Sequence, residues 1–244
     1  MFAANLDKRR ETRRVRTLAT EVNSMCGRFT IFADPERLAE RFEASLPEAG
    51  LRPRYNAAPS QYLPVILNEG PPTIQLLQWG LIPFWAKDQA IGSRMINARS
   101  ETLAEKPAFR AALKKRRCLV LADGFYEWQK TPDGKQPMRI TLASGEPFAM
   151  AGLWETWDTP DGSLLRTFTI VTGEPNELVA PIHNRMPAIL LPEHETIWLD
   201  NAAEPAIWLD VLRPYPAERM VAYPVSRRVN FVTNDDPSLL NREA

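Results

Sequence analysis

Apolar residues along this chain come in short runs divided by turn-forming residues, and only brief stretches repeat with the period of a helix. Residues 27–32, GRFTIF, predict a strand. Asp34-Pro35 follows with the form of an N-cap and a first helical residue, opening a helix that ends near Phe42. Residues 62–67 and 73–77 predict strands. Residues 107–117 predict a helix whose basic end, Lys114 to Arg117, suits the negative pole of the helix dipole. Residues 118–121 predict a buried strand that takes in Cys118. Pro-Asp-Gly occurs at Pro132 and again at Pro160, each beside β-type sequence, at 138–141 and 167–171, so two hairpins are expected. Short helices at 193–199 and 205–212 and a late strand at 220–225 complete the pattern.

Helices and hairpins alternate without the strand–helix–strand rhythm of a parallel sheet. This predicts an α+β fold, with a mainly antiparallel sheet or barrel-like core and peripheral helices. At 244 residues the chain is long enough for one sizeable core, and a single domain is expected. Residues 1–24 stand apart: Lys8, Arg9, Arg10, Arg13, Arg14 and Arg16 crowd a stretch with little apolar periodicity, which predicts a basic, disordered or non-native extension. The folded domain is expected over 25–232 and a C-terminal tail over 233–244.

Charge narrows the choice of partner. Lys+Arg and Asp+Glu number 30 each, and without residues 1–24 the balance becomes 24 against 27. No global positive field advertises nucleic acid, so any such contact is a local patch. No apolar run reaches the roughly 18 residues that span a bilayer, and the N-terminus lacks the apolar centre of a secretory signal. A cytoplasmic protein without a membrane partner is expected. Two cysteines cannot by themselves supply a disulfide framework or the four ligands of a structural zinc site, and with only two histidines as well neither a metal nor another cofactor is expected.

Four segments are richer in polar and aromatic residues than core strands need: Met25-Cys26-Gly27-Arg28-Phe29, Met95-Ile96-Asn97-Ala98-Arg99-Ser100-Glu101, Asp123-Gly124-Phe125-Tyr126-Glu127-Trp128 and Pro181-Ile182-His183-Asn184-Arg185-Met186-Pro187. With Tyr55-Asn56-Ala57-Ala58-Pro59 and Trp79-Gly80-Leu81-Ile82-Pro83 they resemble, block by block and in the same order, the SRAP family of abasic-site shields, once labelled SOS-response-associated peptidases. The resemblance runs from Met25 to about Val229. It implies the SRAP fold and covalent capture of abasic sites in single-stranded DNA, an activity of DNA damage repair and the SOS response. The protein would be nucleoid-associated when bound.

In that family the cysteine follows the initiator methionine, whose removal exposes an amine and a thiol on one residue; by resemblance Cys26 takes this role. The ring-opened sugar of an abasic site carries an aldehyde, and an α-amine with a pKa of about 7.7–8.0 is substantially unprotonated near neutrality. The amine forms an imine, and the thiol closes it into a thiazolidine. An internal cysteine has its nitrogen locked in an amide and cannot. Asn97, Glu127 and His183 match the remaining catalytic positions: Asn97 to hold the adduct through its amide, Glu127 to move protons as water leaves, and His183 to assist ring opening, reversal or strand cleavage. Arg28, Arg99 and Arg185 match positions that hold phosphates, a task suited to the planar guanidinium. Trp85, beside Phe84, is expected to stack on a base or wedge a duplex. Asn56 and Pro59 are expected to wall the DNA-binding pocket, while Trp79 and Cys118 read as core.

Taken singly these residues have plainer readings: Cys26 as a small buried hydrophobe, Glu127 as a solvated strand residue, His183 as a structural histidine. The ordered blocks outweigh them. In one respect the chain departs from the family, because Cys26 follows Met25 and 24 further residues. Either Met25 is the true start, which we favour, or residues 1–25 are removed by proteolysis, or the protein is inactive until processed. An alternative function is a cysteine peptidase or amidase, self-processing included, in which Cys26 attacks a carbonyl with His183 as base. A noncovalent single-strand-binding module is a third, and the absence of net positive charge argues against it.

Overall fold

In a computed structural model the described residues are 27–243, and the expectations for residues 1–24 and for Cys26 lie outside them. The strands in chain order are β1 (Phe29–Ile31), β2 (Arg54–Ala57), β3 (Tyr62–Leu67), β4 (Ile74–Trp79), β5 (Asn97–Arg99), β6 (Arg117–Ala122), β7 (Gly124–Thr131), β8 (Gly134–Leu142), β9 (Phe148–Asp158), β10 (Leu164–Gly173), β11 (Met186–Pro187) and β12 (Met220–Pro224). Four α-helices accompany them among the described residues: α1 (Pro35–Arg41), α2 (Arg110–Lys115), α3 (Pro192–Leu199) and α4 (Pro205–Asp210).

Local chemistry accounts for several of these. The Asp34 carboxylate accepts from the N–H groups of Glu36 and Arg37, Pro35 supplies a first residue with no N–H to leave unpaired, and the helix stops at Phe42. Both Pro-Asp-Gly turns close hairpins, β7–β8 and β9–β10. The β6 segment, RCLVLA, is buried at every position, with the Trp198 indole of α3 donating to Cys118 O at 3.0 Å on the outer side.

Strands β10, β4, β3, β6 and β9 are hydrogen-bonded in that order, and β9 pairs again with β10, so the five close into a barrel. Closure leaves these strands no unpaired edge. Gly152 permits the tight fit between β6 and β9, since an added Cβ there would meet Cys118 Sγ and Val120 Cγ2 at 2.7 Å. The second sheet, in the order β12-β8-β7-β1-β2, packs beside the barrel through Phe29, which lies against the indole of Trp79 with centroids 5.2 Å apart. The architecture is the single-domain α+β fold expected, and its pairing is mainly antiparallel. The exceptions are β10 with β4 and β10 with β5, which run parallel. A parallel neighbour is set by where a long connection returns the chain, which no local pattern records.

The second helix is shorter than expected. The helix expected over 107–117 is α-helical only at Arg110–Lys115, and Arg117 belongs to β6. Its guanidinium, fully buried, donates to the carbonyls of Leu113, Trp198 and Asp200 and stacks 3.6 Å from the Trp208 ring. Arg117 thereby reaches the end of α2 from a strand. The segment expected as a C-terminal tail is bound to the sheet as far as it is described. Asp235 accepts from Tyr55 N at 2.6 Å and Asn56 N at 2.9 Å, Leu239 is fully buried, and Arg242 bridges to Val225.

Candidate active site

Along β7 side chains alternate between the sheet's two faces. Tyr126 joins a small cluster with Val225, Val229 and Leu239, against which Trp128 packs, while Phe125 joins the main core. Glu127 therefore lies on the Phe125 side, and it is 2% exposed. β1 pairs with β7 through Phe29↔Phe125 and Thr30↔Gly124, and Tyr126 N donates to Arg28 O at 3.0 Å. That bond carries the pairing to within one residue of Gly27 and Glu127.

His183 arrives on a compact turn. The side-chain oxygen of Asn176 caps Val179 N at 3.0 Å, and the N–H groups of Ile182 and His183 both donate to Val179 O. Gln129 of β7 donates to Pro181 O at 3.5 Å, holding the turn beside the strand. His183 Nδ1 lies 3.9 Å from Glu127 Oε2 and 3.2 Å from Arg185 N. Arg185 O lies 3.3 Å from Nδ1 as well, so Nδ1 accepts from Arg185 N in one tautomer and donates to Arg185 O in the other. A buried carboxylate and an imidazole at ion-pair distance are equipped to pass protons to and from a third group.

Asn97 opens β5. Its position is set from the preceding residue, for Ile96 O accepts both from the Trp79 indole at 2.8 Å and from Ile170 N at 3.1 Å. Asn97 is half-buried and lies in register with Ile170 of β10, and exposed Arg99 lies in register with Thr172. Thr172 is also in register with Pro187 of β11, so one end of β10 gathers Arg99 and Arg185. Arg185 is not free for a ligand as it stands: its guanidinium pairs with both oxygens of Glu101 and donates to Thr172 O at 2.6 Å. These hydrogen bonds hold the Glu101 carboxyl below its ordinary range.

Arg28 and Asn56 form a second group. Arg28 Nη1 donates to Val229 O at 2.7 Å and to Asn56 Oδ1 at 3.0 Å, and burial lowers the pKa of the guanidinium. Asn56 has no exposed surface, so it is not the pocket wall expected. Its amide is engaged by Arg28 and by the carbonyls of Val229, Phe231 and Asn234, and it supports the residues in front of it. Pro59 is partly buried, followed by Ser60 at a φ of 72°.

Trp85 and Phe84 are 49% and 59% exposed. Their loop is held by Ala86 N to Pro83 O at 2.9 Å and by the Trp157 indole to Ala86 O at 2.7 Å. Trp79 and Cys118 are core, as read, and burial pushes the Cys118 thiol far up, which removes it as a nucleophile. Three residues without an expected role contact the expected site residues: Glu101 and Thr172 accept from Arg185, and the Asn230 carbonyl accepts from Arg28 Nη2 at 3.4 Å. Glu101 ends one of the motif blocks, a carboxylate two residues past Arg99, which was its one visible signal. No group of His, Cys, Asp and Glu able to hold a metal occurs among the described residues, and no helix there is long and apolar enough to cross a membrane.

A five-stranded barrel lies beside a second sheet whose strand β7 carries Glu127, 3.9 Å from His183. Residues 25–232 match the model of the SOS response associated peptidase (SRAP) family, and the chain belongs to that family. It is 49% identical over 221 residues to "Abasic site processing protein YoqW" of Bacillus subtilis (strain 168), covering 88% of this chain and 99% of that one. It is 32% identical to "Abasic site processing protein YedK" of Escherichia coli (strain K12), over 88% of this chain and 99% of the relative. A crystal structure of a protein from Bacteroides thetaiotaomicron superimposes with a TM-score of 0.83 at 30% identity, covering 90% of this chain and all of the other.

Proposed function

We propose that this protein captures abasic sites in single-stranded DNA as a thiazolidine formed by the amine and thiol of Cys26 once that residue is N-terminal. The observation that carries the reading is the buried Glu127 carboxylate, 3.9 Å from His183, on the strand that pairs with the segment Cys26 leads into. Relatives of nearly the same length are named abasic site processing proteins, which supports the substrate.

The amine adds to the sugar aldehyde, and the carbinolamine loses water to give an imine. Glu127, with His183, supplies the proton that leaves with the hydroxyl and takes one from the amine. The thiol then adds through sulfur to the imine carbon, its proton passes to nitrogen, and the five-membered ring closes. Asn97 holds the adduct, and Arg99 and Arg185 hold the flanking phosphates, Arg185 exchanging Glu101 for phosphate. The exposed Trp85 meets a base. Because an imine acidifies the adjacent carbon, β-elimination at the lesion is a side activity of the same intermediate, a lyase reaction. Such a protein works in the cytoplasm, on the nucleoid.

The test compares two forms of the protein, one starting at Cys26 and one with the Cys26 amine acylated by the residues before it. The first is expected to give a denaturation-resistant product with single-stranded abasic DNA and none with DNA whose aldehyde has been reduced; Cys26→Ala abolishes it. A stable adduct on the acylated form, or on Cys26→Ala, refutes the mechanism. A peptidase with an internal Cys26 nucleophile would instead be indifferent to the amine.

A further inference from the structure

Phe231 and Val232 follow the 3-10 turn Arg227–Asn230 and are 67% and 43% exposed. An exposed phenylalanine on a loosely held loop calls for no explanation. This one is held on both sides. Its N–H donates to Arg228 O at 3.2 Å, and its carbonyl accepts from Asn234 N at 3.0 Å and from Asn56 Nδ2 at 3.1 Å. Asn234 Nδ2 returns to Arg228 O at 2.8 Å, and Arg228 is paired with Asp236 at 2.9 Å. The backbone under the ring is thus fixed, while the ring itself is left in water, where an apolar surface is least stable.

What lies beside it indicates what would cover it. The Asn230 carbonyl accepts from Arg28 Nη2 at 3.4 Å, and its side-chain oxygen accepts from the Trp128 indole at 2.7 Å. Trp128 follows Glu127 directly. The loop is therefore bonded to residues next to the proposed chemistry, and it carries exposed Arg227 and Arg228, the latter paired with Asp236, beside half-buried Arg28. A flat, apolar face on a segment that also carries Arg227, an arginine without a carboxylate partner in hydrogen-bond reach among the described residues, suits an unpaired base on a phosphate backbone.

The geometry points to Phe231 as a stacking platform for one unpaired base adjoining the lesion, an inference that rests on the function proposed above. Trp85 sits on a loop of the barrel, whereas Phe231 is tied to the second sheet through Asn56 of β2, so the two rings serve different nucleotides. Stacking there also favours single strands, because a base in a duplex already has both faces covered.

The test uses single-stranded oligonucleotides with a stable tetrahydrofuran in place of the abasic sugar, which binds without reacting, and 2-aminopurine at each flanking position in turn. Wild type is expected to quench emission at one position that Trp85→Ala leaves quenched. Phe231→Ala should restore emission there and weaken binding roughly tenfold, while Phe231→Trp keeps both. Unchanged quenching and affinity at every position in Phe231→Ala, with thermal stability retained, overturns the platform. If wild type cross-links true abasic DNA and Phe231→Ala changes nothing, the platform alone falls. If wild type neither binds nor cross-links, the proposed function falls with it.

Discussion

Asn56→Ala probes the support behind the site. The residue is 0% exposed; Nδ2 faces Val229 O at 3.2 Å, Phe231 O at 3.1 Å and Asn234 O at 2.8 Å, and Oδ1 accepts from Arg28 at 3.0 Å. An amide nitrogen has two hydrogens, so three carbonyls share two bonds. Two neutral bonds at about 1 kcal/mol each, with a guanidinium bond at about 1.5–3 kcal/mol, sum to roughly 3.5–5 kcal/mol. Phe231 is exposed and Asn234 partly exposed, so water satisfies part of what the truncation releases. A loss of about 3 kcal/mol is therefore expected, or about 6–12 °C in Tm for a domain of this size. Urea unfolding of wild type and variant measures it from the midpoints, provided the slopes agree. Asn56→Asp keeps the acceptor for Arg28 but turns a carboxylate toward carbonyl oxygens, and it should do no better than alanine. A loss below about 1 kcal/mol for Asn56→Ala would refute the reasoning, since neutral bonds alone exceed that.

The Glu101–Arg185 pair gives a pH signature. Because the folded carboxyl is held below its unfolded value of about 4.3, the stabilisation is complete above that value and is lost as pH falls through the lowered folded one. Glu101→Gln should cost no more than about 1 kcal/mol at neutral pH, the pair being partly exposed, and the difference from wild type should vanish at acid pH; a pH-independent difference in urea midpoints would count against it. Gly80 has a φ of 118°, and a Cβ there would meet Gly92 O at 2.7 Å. Gly80→Ala should cost about 2–3 kcal/mol or more, against about 1 kcal/mol for Gly70→Ala, which has a φ of 68° and open space around it. Equal losses by thermal unfolding would show that the close approach does not matter.

The sequence by itself determined what depends on neighbouring residues. The Asp34-Pro35 cap, the two Pro-Asp-Gly hairpins and the buried run at Cys118 follow from local turn, cap and burial rules, and each stands in the fold. The ordered motif blocks also sufficed for the family, because they name residues rather than positions in space. Tertiary structure alone decided the barrel's closure through β9 and β10, the parallel neighbours of β10 and the burial of Arg117 among carbonyls. It also decided that Glu127 and His183 meet, that Arg185 lies against Glu101, and that Asn56 is support and not surface. Periodicity records which side of an element is turned from water. It does not record which distant segment is waiting there, because that contact is chosen by the packing of the whole core.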